Sequence, residues 1–206
     1  MRDDLRDLPL RERKKLRTRR ALAETALRLF TERGYDATTL DDLCDAVEVS
    51  KRTFFRNYRS KEDVALAADS DLWSAYLDYV AAQEMNGPLI EALRVALDTT
   101  LSTMDPDWDR RFLAARELSE AVPALQAHSL GYCQDTTRAL VKVVSGRSGT
   151  DVEEVRLRLT VEIFVAAWRT ASLRWTAQGG HGGRDTLTKL VEETFAEIPA
   201  ALASSA

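Results

Sequence analysis

The residues best suited to specific chemistry lie in the first third of this 206-residue chain. Lys51, Arg52 and Thr53 follow Ser50, whose hydroxyl suits the cap of a short helix. A guanidinium such as that of Arg52 presents two donors at the spacing of guanine O6 and N7. Lys61 stands at the start of the next expected helix. There its ammonium and the free backbone N–H groups together suit a phosphate. Thr39 occupies an equivalent place two helices earlier. Upstream, seven of the ten residues Arg11–Arg20 are basic. Such a run suits either a solvated helix start or an arm laid along a nucleic-acid backbone or in its minor groove.

Net charge alone hides this basic character. The whole chain carries −4, but residues 1–60 balance at +4 and residues 61–206 at −8. Two segments of opposite sign suggest two different partners. Enzymatic chemistry has little to work with. There are two histidines, His128 and His181, and no P-loop, G-x-S-x-G or H-E-x-x-H motif. His181 sits in a glycine run, and His128 and Tyr132 are spaced i, i+4 with no acid or nucleophile beside them. Two cysteines, Cys44 and Cys133, make neither a disulfide framework nor a metal site. No metal or cofactor is expected, and Cys44 is expected to pack. No apolar run approaches a membrane span, and the N-terminus has no secretory h-region. The expectation is a soluble, cytoplasmic protein that is not an enzyme.

The elements that must position these residues read as helices throughout. The 9 glycines and 5 prolines fall well below the usual combined share of about 12 %. Leu22, Ala26, Leu29 and Phe30 share one helical face, and Gly34 follows as a stop. Thr39 with Asp42 resembles a capping box for a short helix to about Val47. Glu48–Ser50 interrupt, and a second short helix runs through Tyr58. Ser60 caps a long helix from Lys61 to about Gln83. Pro88, Pro106 and Pro123 mark three further starts. Gly146–Gly149 end the last of these, and Asp151 opens a helix to about Gln178. Gly179–Gly183 form a loop, and a final helix begins near Asp185. The expected class is all-α with about nine helices and no strand. A domain of residues 1–60, with its arm at 11–20 and its motif at 39–58, precedes one of residues 61–206.

Two helices of about eight residues joined by three must pack on each other and on a third, which is helix-turn-helix geometry. Leu40, Leu43 and Val47 face inward from the first. Val49, Thr53 or Phe54, and Tyr58 supply the facing contacts. With these residues in place, the stretch ALAETALRLFTERGYDATTLDDLCDAVEVSKRTFFRNYRSKEDV resembles the DNA-binding domain of TetR-family transcriptional regulators. The matching pattern is F-x-x-x-G-[YF], then T-T-x-x-x-[IL]-[AC], then V-S-x-x-T-[LF]-[YF]-x-x-[FY]-x-[SN]-K-E. The resemblance covers about a quarter of the chain, residues 11–66. It implies DNA contact by Thr39, Ser50, Lys51, Arg52, Thr53, Phe55, Arg56, Asn57, Tyr58 and Lys61. The Asn57 position commonly contacts DNA in the family, and an asparagine suits adenine. Two positions depart from the pattern. Phe55 stands where the family usually has a phosphate-binding tyrosine, so it is expected to pack or to touch a sugar or a thymine methyl. Glu48 stands in a turn where glycine is frequent, a strained place if φ is positive.

The remaining segment is larger than a support for the motif requires. On the 151–178 helix, Leu157, Val161, Phe164, Trp168 and Trp175 cluster on one side. Val155, Leu159, Ile163, Ala166, Thr170 and Leu173 cluster almost opposite. Both faces need cover, one from the chain itself and one from a second subunit. The resemblance likewise implies a homodimer through the last two long helices, and hence a near-palindromic DNA site. It also implies a small-molecule effector, of apolar or aromatic character, that releases a repressor from its operator. Trp73, Tyr76, Trp108, Phe112, Arg116, His128, Tyr132, Phe164 and Trp168 are candidates to line its pocket, although aromatic residues at helical spacing also build ordinary cores. A DNA-bound regulator without an inducer, controlled by a protein partner or by abundance, stays open.

Overall fold

A computed structural model describes residues 9–146 and 153–203. The regular elements among these residues are all helical: α1 (Leu10–Arg33), α2 (Leu40–Ala46), α3 (Lys51–Phe55), α4 (Lys61–Ala65), α5 (Ala67–Ala82), α6 (Leu89–Thr103), α7 (Trp108–Ala121), α8 (Pro123–Ser145), α9 (Glu154–Ala177), α10 (Gly183–Ala196) and α11 (Ile198–Ala203). The nine expected helices are all represented. Eleven segments arise because Leu66 interrupts the expected 61–83 helix and because Ile198–Ala203 forms a separate last turn. The expected opening of α9 at Asp151 lies outside the described residues.

Local chemistry accounts for the ends of the short helices. Thr39 and Asp42 form the reciprocal capping box at α2: the Asp42 N–H donates to the Thr39 hydroxyl at 3.1 Å, and the Thr39 N–H donates to the Asp42 carboxylate at 2.8 Å. Ser50 and Ser60 accept from the N–H groups of Thr53 and Asp63, each at 3.2 Å. Such caps contribute about 1 kcal/mol apiece, a large share of what holds five- and seven-residue helices. Gly34 takes φ +91° after α1, the backbone region where a side chain is strained.

The chain divides into two compact units. The first comprises residues 1–70 and 105–129, the second residues 71–104 and 130–206. In the first unit, Leu22, Ala26, Leu29 and Phe30 of α1 form a core with Leu43 and Cys44 of α2, Phe54 and Tyr58, Val64 and Ala65 of α4, and Leu125 of α8. Phe54 is fully buried, which settles the choice between Thr53 and Phe54 as the inward residue of α3. Burial of such a ring stabilises by about 1.5–3 kcal/mol. Cys44 packs in the same core. Burial, ahead of the nearby Asp41 and Asp45 carboxylates, pushes its thiol up and away from reactive thiolate chemistry.

In the second unit, α9 and α10 pack lengthwise and α6 packs on both. Leu157, Val161, Phe164, Trp168 and Trp175 of α9 are buried. The opposite stripe stays open: Val155 is 61 %, Leu159 57 % and Leu173 42 % exposed. Arg184 donates to the carbonyls of Leu101 and Met104 at 2.9 and 2.8 Å, adding a side-chain cap to the end of α6.

Candidate nucleic-acid interface

The candidate recognition element, α3, is short and held at both ends. α3 contributes five helical residues. At its start, Ser50 caps, and the Lys51 ammonium lies 2.9 Å from the Asp41 carboxylate of α2. That pairing raises the Lys51 pKa, so the ammonium stays charged. At its end, the Asn57 amide donates to the Thr53 carbonyl at 2.8 Å. Phe54 faces inward and anchors the helix. Ser50, Lys51, Arg52, Phe55, Arg56 and Arg59 face outward. One surface of this unit therefore presents four cations and an aromatic ring.

Phe55 is 53 % exposed and meets Phe54 edge-on at 5.5 Å. It does not pack into the core, and its exposed ring is open to apolar contact. Arg59 was not singled out by sequence pattern, because it occupies a variable place between two motif residues. Its backbone N–H donates to Asp63 at 3.0 Å and its side chain is exposed beside the reading helix. Thr39 is exposed, but its hydroxyl also donates to Asp42 at 2.6 Å. The hydrogen bonds from the Thr39 hydroxyl and N–H lower the Asp42 pKa, so the carboxylate holds the cap in its charged form.

Three expected contacts face inward. Tyr58 is only 4 % exposed, and its hydroxyl donates to the Arg19 carbonyl at 3.0 Å. Its ring belongs to the core of the unit. Lys61 directs its ammonium to the carbonyls of Tyr35 and Thr38, at 2.6 and 2.9 Å, and lies 3.9 Å from the centre of the Tyr35 ring. It fixes the loop before α2 instead of reaching out to a phosphate. Glu62 extends this network by accepting from the Tyr35 hydroxyl at 2.6 Å. Burial opposes ionisation of Glu62, yet the Tyr35 and Ser60 hydroxyls outweigh it and its pKa is lowered. Asn57 is half-buried, with its amide committed to α3 itself.

The basic arm also divides. Arg11, Arg13, Lys14, Lys15 and Arg17 are exposed along α1. Arg19 turns to the carbonyl of Asn57 at 2.8 Å. Arg20 pairs with Glu24 at 2.8 Å and Asp107 at 2.6 Å, and the Glu24 bond raises its pKa. Only the first part of the run is free to follow a polyanion.

The candidate pocket residues fall in different units. Trp73, Tyr76, Phe164 and Trp168 form an aromatic cluster in the second: Tyr76 stacks on Phe164 at 5.4 Å, and Trp73 meets Trp168 edge-on at 6.1 Å. The Tyr76 hydroxyl donates to the Leu93 carbonyl at 3.1 Å. Tyr132 is half-buried in the same unit. In the first unit, Trp108 stacks on Phe112 at 4.7 Å, Arg116 pairs with Asp69 at 2.5 Å, and His128 meets Asp63 at 2.8 Å. Each of these four is engaged by its own unit. Among the described residues no group of three or more His, Cys, Asp or Glu is arranged to hold a metal. No helix among them is long and apolar enough to cross a membrane.

Comparison with known proteins decides what this arrangement belongs to. Residues 22–68 match the model of bacterial regulatory proteins of the tetR family, and residues 87–203 match the MftR C-terminal domain. The HTH-type transcriptional regulator TcmR of Streptomyces glaucescens is 34 % identical over 175 residues, 81 % of this chain and 76 % of that protein. The chain belongs to the TetR family of bacterial transcriptional regulators. It is thus a DNA-binding regulator and not an enzyme. IcaR of Staphylococcus epidermidis, a negative regulator of a biofilm operon, is 24 % identical over 119 residues, 58 % of this chain and 63 % of that protein. Solved structures share the fold at lower identity. A proposed fatty acid metabolism regulator of Clostridium perfringens matches with a TM-score of 0.54 at 17 % identity, covering 90 % of this chain and all of that one. A transcriptional regulator from Aquifex aeolicus matches with a TM-score of 0.50 at 14 % identity, covering 89 % and 99 %.

Proposed function

We propose that this TetR-family member is a homodimeric repressor that reads a near-palindromic operator with α3 of each protomer. In this reading residues 1–60 carry DNA recognition, residues 61–206 carry pairing and sensing, and the protein acts in the cytoplasm. The outward face of α3 is the observation that carries it. Arg52 is free to bridge guanine O6 and N7, Arg56 lies one turn further along, and Phe55 offers an apolar contact between them. Ser50, Thr53 and Thr39 border that face, while Lys51, Arg59 and the exposed arm cations supply phosphate contacts. Lys61, Asn57 and Tyr58 support the unit from behind.

The open stripe Val155–Leu159–Leu173 on α9 supports pairing, since an exposed apolar row of this length on a two-faced helix calls for cover. A twofold dimer built on α9 and α10 sets two reading helices on half-sites roughly 34–36 Å apart, or a related spacing. Repression is consistent with the negative regulation named for IcaR. Release by a small apolar or aromatic ligand rests on the aromatic wealth of residues 61–206. A second reading has its own support: the rings of Trp73, Tyr76, Phe164 and Trp168 pack on one another, as a core does. A regulator governed by a protein partner or by abundance needs nothing more.

Selecting bound duplexes from a random pool, then weighing the complex, tests the proposal. An inverted repeat occupied by two protomers is the expected result. A single half-site bound by one protomer overturns the homodimeric reading. Screening metabolites for release of the selected duplex then separates the sensing regulator from the alternative.

A further inference from the structure

The basic run Arg11–Arg20 suggests seven equivalent phosphate ligands, yet Arg19 is built into the back of the reading unit. Its guanidinium donates to the Asn57 carbonyl at 2.8 Å and to the Ser70 hydroxyl at 3.5 Å. The same group lies 4.5 Å from the centre of the Tyr58 ring, within cation–π range. The Tyr58 hydroxyl returns a bond to the Arg19 carbonyl at 3.0 Å, so the two residues clasp each other. Asn57 in turn donates to the Thr53 carbonyl inside α3. A chain of contacts thus runs from α1 through Asn57 and Tyr58 to the helix that carries Arg52 and Arg56.

A five-residue helix cannot fix its own direction. Its nucleation is unfavourable, and its last carbonyls have no partners within it. The start of α3 is held by the Ser50 cap and by Lys51 on Asp41. Its exit depends on the Asn57–Tyr58 segment, and Arg19 grips that segment by backbone, ring and hydroxyl together. Lysine would not replace it, because a single ammonium lacks the planar fork whose two separate nitrogens reach Asn57 and Ser70.

We propose that Arg19 is a positioning residue for base recognition, setting the exit of α3 so that Arg52 and Arg56 meet base edges, and that it neutralises no phosphate. This rests on the reading of α3 as the base-reading helix. Loss of a phosphate contact weakens binding to all sequences alike and lowers the salt slope by about one, whereas loss of a base contact falls on the specific sequence.

The test compares wild type with Arg19→Lys and Arg19→Gln on the selected operator and on a random duplex, over a range of salt concentrations. Both variants are expected to bind the operator about ten-fold or more weakly, the size of a lost charge-assisted hydrogen bond. Random-duplex affinity and salt slope should stay near wild type for Arg19→Lys, which keeps the charge. Tyr58→Phe, which removes only the returning hydroxyl, should shift operator affinity in the same direction by less. Full operator affinity in Arg19→Lys, with uniform loss and a slope lowered by about one in Arg19→Gln, would overturn the proposal. So would unchanged operator discrimination in a folded Arg19→Lys and Tyr58→Phe pair. Failure of wild type to discriminate operator from random DNA would instead overturn the reading of α3 itself.

Discussion

The two units spend their unusual residues differently. The first is rich in charge and turns much of it inward. Arg19 holds Asn57, Lys61 holds two loop carbonyls, and Arg116 meets Asp69 in a largely buried pair. The second is built mainly from rings and aliphatics, with Arg184 on two carbonyls and one apolar row left open along α9. Charge–carbonyl and charge–charge contacts are directional, so they suit a unit whose short helices must present side chains at fixed angles. Apolar contact is not directional, and suits a unit that buries area against itself and against a copy. A cation in this sequence is therefore not evidence of a DNA contact until its direction is known.

The largest effect should come from the buried ion pair. Asp69→Ala leaves the Arg116 guanidinium buried without its partner and should lower stability by about 3–5 kcal/mol in urea unfolding. Burial pushes the Asp69 pKa up, ahead of the opposing pull of Arg116, so the pair is held at a desolvation cost. Asp69→Leu combined with Arg116→Met should recover most of the loss. A small loss from Asp69→Ala alone would break the contrast, by showing that inward charge in this unit is dispensable.

The two faces of α9 should respond oppositely. Trp168→Ala empties core volume and should lower stability by about 3–5 kcal/mol. Leu159→Asp alters an exposed site, and in the isolated protomer should change stability by no more than about 0.5 kcal/mol. Its effect should instead appear in sedimentation as conversion of dimer to monomer. A Leu159→Asp variant that stays dimeric would place the pairing surface elsewhere.

The smallest effect concerns the turn before α3. Glu48 adopts φ +55°, the left-handed region, which costs a side-chain-bearing residue about 1–2 kcal/mol. Glu48→Gly relieves that strain but loosens the unfolded chain, so a net gain of up to about 1 kcal/mol is expected in thermal unfolding. A clear loss of stability would mean that the Glu48 side chain makes a contact worth more than the strain.

Much of this was legible in the sequence because it is local. The Thr39–Asp42 box, the caps at Ser50 and Ser60, the stop at Gly34 and the two faces of α9 all depend on residues within a few positions of one another. The strained turn at Glu48 was visible as a departure from a family pattern. Direction was not legible where it depends on distant partners. Arg19 meets a carbonyl 38 residues away, Arg20 a carboxylate 87 residues away, and Lys61 the loop 23 and 26 residues before it. Composition marks these residues as basic and cannot say which distant partner each one meets. Tyr58 shows the same limit: its motif position suggests DNA, and its burial assigns it to the core.

Whether the outward face of α3 reads bases is decided by Arg52→Ala. Binding should be measured on the selected operator, on single-base variants of it and on random DNA. Arg52→Ala should lose about 1–3 kcal/mol on the operator, relax the preference at one base pair in each half-site, and change little on random DNA. Equal losses on operator and random DNA, with every base preference intact, would contradict base reading by α3.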